Sequence, residues 1–231
     1  MQIHGLNRTT LLDYPGRVAA TIFTGGCNFR CPFCHNGDLV LNPDTLPSFS
    51  QEEIYSFLEK RKNVLSGVCI TGGEPTLQKD LKEFLIPVKK MGYLIKLDTN
   101  GTLPDVVKDL YENELLDYVA MDIKSSPENY EKVAGVNGLT FEKIQETVAY
   151  IMTSGMDYEF RTTVVKELHN SEDFLSIARW LKNCNAYFLQ DYQDNENAIT
   201  TGFHSYTKIE LEAFRDLIKP YISNVNLRGV E

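Results

Sequence analysis

From Val18 onward, short β-branched or aromatic runs alternate with longer segments of helical spacing. Two parallel strands cannot be joined by a tight turn, so this alternation commits the chain to βα units on a parallel sheet. The strands are expected at Val18–Thr24, Val68–Thr71, Leu94–Thr99, Leu116–Ile123, Tyr158–Val165 and Ala186–Gln190, with a further one at Asn224–Arg228. Between them, Ser50 with Glu53 and Thr207 with Glu210 have the capping-box spacing, in which hydroxyl and carboxylate each satisfy a free N–H at a helix start. Leu77, Leu81, Phe84, Leu85 and Val88 form one helical face, which Gly92 can end. Pro87 inside that face predicts a kink or an early stop. Further helices are expected around Ile54–Leu58, Val107–Leu110, Phe141–Ile151, Phe174–Leu181 and Ile209–Ile218.

Six such units fill 231 residues without a Gly/Ser-rich break. A closed eight-fold barrel takes about 250 residues, so the expectation is one α/β domain over 1–231: an open, partial (β/α)6 barrel. Asp191–Thr201 is polar and aperiodic and reads as a loop. The net charge is 23 − 32 = −9, with no Lys/Arg cluster, which argues against duplex nucleic acid as a partner. No apolar run approaches the ~18–20 residues of a membrane helix, and Met1–Arg8 lacks the apolar stretch of a secretory signal. A cytoplasmic protein with reduced thiols is therefore expected.

Three of the five cysteines, Cys27, Cys31 and Cys34, fall within eight residues, directly after the first expected strand. Thiolates are soft ligands that select zinc or iron–sulfur clusters. A structural zinc ion wants four ligands, and His35, adjacent to Cys34, is poorly placed to be the fourth. A [4Fe–4S] cluster held by three cysteines instead keeps one iron open to an outside ligand. The loop also lies at the C-terminal end of a barrel strand, where such folds place their active sites. Both readings, a zinc-binding structural or interaction loop and a catalytic cluster, stand on these residues alone.

The next strands also end in polar groups. Thr71-Gly72-Gly73-Glu74-Pro75 offers close backbone approach and a carboxylate suited to an ammonium group; Asp98-Thr99-Asn100-Gly101 and Met121-Asp122-Ile123-Lys124 follow. Asp98 or Asp122 alone could be a cap or a loop carboxylate. Four consecutive strands ending this way point to one ligand site. Together these segments resemble the radical S-adenosylmethionine superfamily. Within it, Leu12-Asp13-Tyr14-Pro15-Gly16-Arg17, the run from Phe23 to Pro32 and Cys34-His35-Asn36 resemble the activating proteins of glycyl radical enzymes, those of anaerobic ribonucleoside-triphosphate reductase above all. The resemblance covers nearly the whole chain, with its motif-bearing core at about 17–191.

That resemblance implies a radical SAM-type barrel in which Cys27, Cys31 and Cys34 ligate three irons of one [4Fe–4S] cluster. The amino and carboxylate groups of S-adenosylmethionine then chelate the fourth iron. Phe33 would pack near the adenine, with Cys34 and His35 lining the same cofactor. Gly72, Gly73 and Glu74 would meet the methionine amino group, with Asp98 and Asn100 beside it. Asp122 would contact the ribose and Lys124 the carboxylate, with Ile123 between them. Arg161 would face the cofactor or the substrate loop, its other reading being a salt bridge on a strand. Pyruvate formate-lyase activases carry a histidine where this chain has Phe188-Leu189-Gln190-Asp191, which makes Gln190 the counterpart. The implied reaction is reductive cleavage of the cofactor to a 5′-deoxyadenosyl radical that takes hydrogen from a glycine of a partner enzyme. A low-potential donor such as flavodoxin or ferredoxin would supply the electron. A radical SAM enzyme acting on a small molecule is the alternative on the same fold. His4, His169 and His204 are expected on the surface or in loops, and Cys69 in the core of a strand.

Overall fold

In the computed structural model, which describes residues 1–230, one eight-stranded sheet runs in sequence order from β1 to β8. β1 (Ile3–Thr10) pairs antiparallel with β2 (Ala19–Thr24). β3 (Gly67–Gly72), β4 (Leu94–Thr99), β5 (Tyr118–Asp122), β6 (Asp157–Val164), β7 (Tyr187–Asp191) and β8 (Val225–Arg228) then add in parallel, each beside its predecessor. Crossovers of one hand place every helix on the same side of such a sheet, and its twist curls it toward a barrel. β1 and β8 form the two edges and do not pair with each other, so the barrel is open as expected. The expected strand at 224–228 is present as β8; β1, whose run Ile3–Thr10 is polar and lacks β-branched repetition, was not anticipated.

The helices are α1 (Gly37–Leu41), α2 (Gln51–Arg61), α3 (Leu81–Lys90), α4 (Pro104–Glu112), α5 (Tyr130–Ala134), α6 (Phe141–Thr153), α7 (Ser171–Trp180) and α8 (Lys208–Ile218). Both expected capping boxes form, at Ser50–Glu53 and Thr207–Glu210, and a third joins Asn170 to Asp173 at the start of α7. Pro87 neither stops α3, which continues to Lys90, nor prevents Leu81, Phe84, Leu85 and Val88 from being buried. Leu77 departs from the expected face: Pro75–Leu77 forms a separate 3-10 turn and leaves Leu77 at 38% exposure.

The strands are buried on both faces but the two faces differ in chemistry. On β4, Ile95 and Leu97 are fully buried, and the alternate positions carry Lys96 and Asp98. Period-two alternation sends the apolar pair and the charged pair to opposite faces of the sheet. The charged face is the barrel interior, where Lys96, at 1% exposure, meets Asp98. At the far edge, Arg228 on β8 makes a bidentate pair with the buried Glu159 on β6, at 2.7 and 2.8 Å, and Tyr118 donates to the same carboxylate at 3.1 Å.

Candidate active site

A cleft of about 840 Å³ opens at the C-terminal ends of β2 to β6. Its walls bring together Cys27, Cys31, Phe33, Cys34, His35, Gly72, Gly73, Glu74, Asp98, Asn100, Asp122, Lys124 and Arg161, contributed by five successive strand ends. Two expected residues are not among its lining. Ile123 is fully buried, its N–H donating to the Arg161 carbonyl at 2.9 Å and its carbonyl accepting from Thr162 at 2.7 Å. Gln190 lies on β7, opposite Thr163 and Arg228 in the ladder. Conversely, Asn36, Thr71, Thr99 and Thr163 line the cleft without having been singled out. Thr163 follows Arg161 by two positions on a strand, so the alternation that places one on the cleft face also places the other there.

The cysteine loop is held by backbone on three sides. Gly26 donates to the Leu39 carbonyl at 2.8 Å and accepts from Glu74 N–H at 2.8 Å. Gly73 lies so close that a Cβ would sit 1.9 Å from the Gly26 oxygen, which explains the glycine there. Arg30 donates from its main chain to Ala134 at the end of α5, where Gly135 turns left-handed with φ of 67°. From the other side, Thr200 N–H reaches the Pro32 carbonyl at 2.8 Å and Gly37 N–H reaches Asn197 at 3.1 Å. The polar loop after β7 thus packs on the cysteine loop, and Tyr192 stacks near His35 with centroids 5.5 Å apart.

All five cysteines are free. Burial pushes the Cys27 thiol up to about 12 and Cys31 up to about 11. Three soft thiol ligands lining one cleft suit an iron–sulfur centre. A positive metal core also supplies the charge that buried thiolates lack. The Nε2 of His35 is buried and has no partner among the described residues, which fits a wall that meets a further group. The donor set therefore fits a three-cysteine [4Fe–4S] cluster.

Behind the thiols runs a row of alternating charge. Lys96 contacts Asp98, Asp98 meets Arg161 Nη2 at 3.1 Å, Arg161 Nε meets Asp122 at 2.5 Å, and Asp122 meets Lys124 at 2.9 Å. Burial works to raise both aspartates, but Arg161, with Lys96 at Asp98 and Lys124 at Asp122, outweighs it and holds each below the usual carboxylate range. Burial likewise works against the charge on Lys124, and Asp122 restores it, keeping the ammonium protonated. Three cations against two anions leave one positive charge in excess, which suits a ligand bearing a carboxylate.

Glu74, a carboxylate suited to an ammonium group, is also an anchor between two strand ends. It is 1% exposed, and Oε1 accepts from Thr76 N–H at 3.0 Å, from the Thr76 hydroxyl at 2.5 Å and from the Thr99 hydroxyl at 2.8 Å. Among the described residues, Oε2 accepts only from Asn100 N–H, at 2.6 Å. The carboxylate ties the turn after β3 to the end of β4, and burial raises it despite those bonds. One lone-pair direction of Oε2 is left for a ligand donor.

Residues 21–181, from β2 to just past α7, match the family model of the Radical SAM superfamily. A Methanocaldococcus jannaschii protein named as a candidate glycyl-radical enzyme activating enzyme is 32% identical over 235 residues, covering 99% of this chain and 96% of its own. A candidate GTP 3′,8-cyclase of Thermococcus kodakarensis is 33% identical over 171 residues, covering 70% of this chain and 53% of that one. Among solved structures, Streptococcus suis SuiB superposes with a TM-score of 0.71 at 16% identity over 91% of this chain, which spans about half (49%) of SuiB. With the family match running through most of the chain, and a relative aligned nearly end to end, the chain belongs to the radical S-adenosylmethionine superfamily, with a [4Fe–4S] cluster and S-adenosylmethionine as its cofactors.

Proposed function

We propose that this radical SAM enzyme is an activating enzyme that installs a glycyl radical on a partner, the partner being anaerobic ribonucleoside-triphosphate reductase. The observation that carries the reading is the near end-to-end identity of 32% with a relative named for that activity. The opening Leu12–Arg17 and Cys34-His35-Asn36 segments, which resemble activators of that reductase, support the choice of partner. Membership in an enzyme superfamily removes the structural zinc loop from consideration.

When bound, the two cofactors supply reductive carbon–sulfur cleavage and a 5′-deoxyadenosyl radical able to take hydrogen from glycine. The chain's own part is ligation, orientation and exclusion of water. Cys27, Cys31 and Cys34 would hold the cluster. Lys124 would take the cofactor carboxylate, Asp122 the ribose, and Gly72, Gly73 and the open side of Glu74 the amino group. Phe33, at 6% exposure, would give the adenine an apolar wall. Asn100 donates to Asn28 at 2.8 Å across the cleft mouth and keeps the cysteine loop beside the end of β4. The open sheet leaves a side for a peptide loop to enter. Flavodoxin or ferredoxin would supply the electron, and the setting would be the cytoplasm; no helix among the described residues is long and apolar enough to cross a membrane.

The test is anaerobic reconstitution with iron and sulfide, then electron paramagnetic resonance with S-adenosylmethionine, reductant and the reductase. A glycyl radical doublet on the reductase is expected, and Cys31→Ala is expected to abolish both cluster assembly and cofactor cleavage. Cleavage without a doublet, together with a modified nucleotide when GTP is supplied, would favour the small-molecule reading to which the cyclase similarity points.

A further inference from the structure

Lys124 is the one cation of the charged row that lies beyond the end of its strand, since β5 stops at Asp122. Its backbone is held from another element. The Lys124 carbonyl faces His169 Nε2 at 2.8 Å, and His169 lies in a loop, one of the two expected settings, in the turn between β6 and α7, but buried there at 2% exposure. A carbonyl can only accept, so Nε2 carries a proton. Nδ1 lies 3.1 Å from the Val165 N–H, which can only donate, so Nδ1 presents its lone pair. The Val165 carbonyl, 3.2 Å from Nδ1, already accepts from the Leu168 and His169 main chains. Both neighbours therefore select the neutral Nε2–H ring.

The ring is fixed on its other sides too. Phe174 stacks on it with centroids 5.8 Å apart, and Tyr206 donates to the His169 carbonyl at 2.7 Å. Asp173, from the first turn of α7, grips the same loop further on, accepting from Ser126 at 2.6 Å and Asn129 at 2.7 Å. The charged groups around the ring are Asp173 on α7, which favours its protonation, and Lys132 on α5, which opposes it. Burial outweighs the rest and keeps the ring neutral.

We propose that His169 is the positioning residue for Lys124: through the Nε2–H bond to its carbonyl, it sets where the ammonium enters the cofactor pocket. The proposal rests on the reading that Lys124 faces S-adenosylmethionine.

Two variants separate the bonds. In His169→Asn the shorter amide can still accept from Val165 N–H but falls short of Lys124, whereas in His169→Gln the amide can donate to the Lys124 carbonyl. The full chain, anaerobically reconstituted, is titrated with S-adenosylmethionine by calorimetry. His169→Asn is expected to weaken binding about tenfold and His169→Gln to stay within about threefold of wild type. Wild-type affinity in His169→Asn, or equal loss in both variants, overturns the proposal. Lys124→Met is titrated alongside: wild-type affinity there overturns the reading of Lys124 itself, a different failure. Nitrogen-15 spectra of the iron-free protein, which has only four histidines, give an answer that needs no loaded enzyme. A proton on Nε2 alone at pH 7.5 is expected, and a proton on Nδ1 overturns the proposal even if a variant fails to fold.

Discussion

Lys96 is tolerated in a barrel interior because Asp98 touches its side-chain nitrogen and leaves no buried polar group unpaired. Replacing it with methionine takes one of two cations from the buried Asp98, leaving it Arg161 and the weak Cys69 thiol donor, so Lys96→Met is expected to destabilise the iron-free protein by about 3 kcal/mol, read from urea unfolding. His169 predicts a pH dependence at the same scale. Its folded pKa lies below the ordinary 6.5, so the folded protein binds the proton less readily than the unfolded chain. The stability it contributes is full above about 6.5 and is lost as pH falls through the folded value. Denaturation midpoints measured between pH 7.5 and 5 are expected to fall less in His169→Gln than in wild type.

At the scale of elements, the cleft depends on loops meeting backbone to backbone. Gly73 and Gly26 join the turns after β3 and β2, and Gly73→Ala forces those turns apart because the obstacle is a carbonyl, not a flexible side chain. Overpacking of this kind costs about 1–3 kcal/mol. The expected outcome is a lower melting temperature and less iron retained per chain after reconstitution, the latter because the displaced turn carries Cys27. Helix starts, in contrast, are local: Ser50–Glu53 and Thr207–Glu210 form their boxes within four residues and need nothing from the rest of the chain. Pro87 failed as a stop signal because a proline interrupts a helix only at the cost of one bond and some crowding, and the buried face Leu81–Val88 outweighs that.

For the whole molecule, the last edge strand of the open barrel is fastened to the sheet by one ion pair. Arg228 on β8 spans to Glu159 on β6, whose side chain is 1% exposed, and lies over the Phe188 ring at 3.9 Å. Arg228→Met should leave that carboxylate with Tyr118 as its one remaining donor among the described residues and cost about 3 kcal/mol, the low end for a buried pair because Arg228 is partly exposed. Chemical denaturation checks the magnitude. The double variant Arg228→Met with Glu159→Gln should recover part of the loss, since it also removes the stranded charge.

The βα alternation, the three thiols and the polar strand ends were legible because each is written in a few consecutive residues: strand and helix periodicities are local, and so is the spacing of loop ligands. That Cys27, Glu74, Asp98, Asp122 and Lys124 share one cleft is thus legible in the sequence, since consecutive parallel strands all deliver their C-terminal ends to one side. What only the tertiary structure decided are the relations between distant segments. Lys96 looks like a surface lysine until β3 and β5 flank it; His169 looks like a loop residue until the turn after β6 folds against the end of β5. Nothing in the sequence near Glu74 shows that Thr99 and Asn100 occupy its oxygens. Burial and hydrogen-bond partnership are properties of neighbours in space, and the neighbours that decide these cases lie far along the chain: Tyr118 is 22 positions from Lys96, Thr99 25 from Glu74 and Lys124 45 from His169.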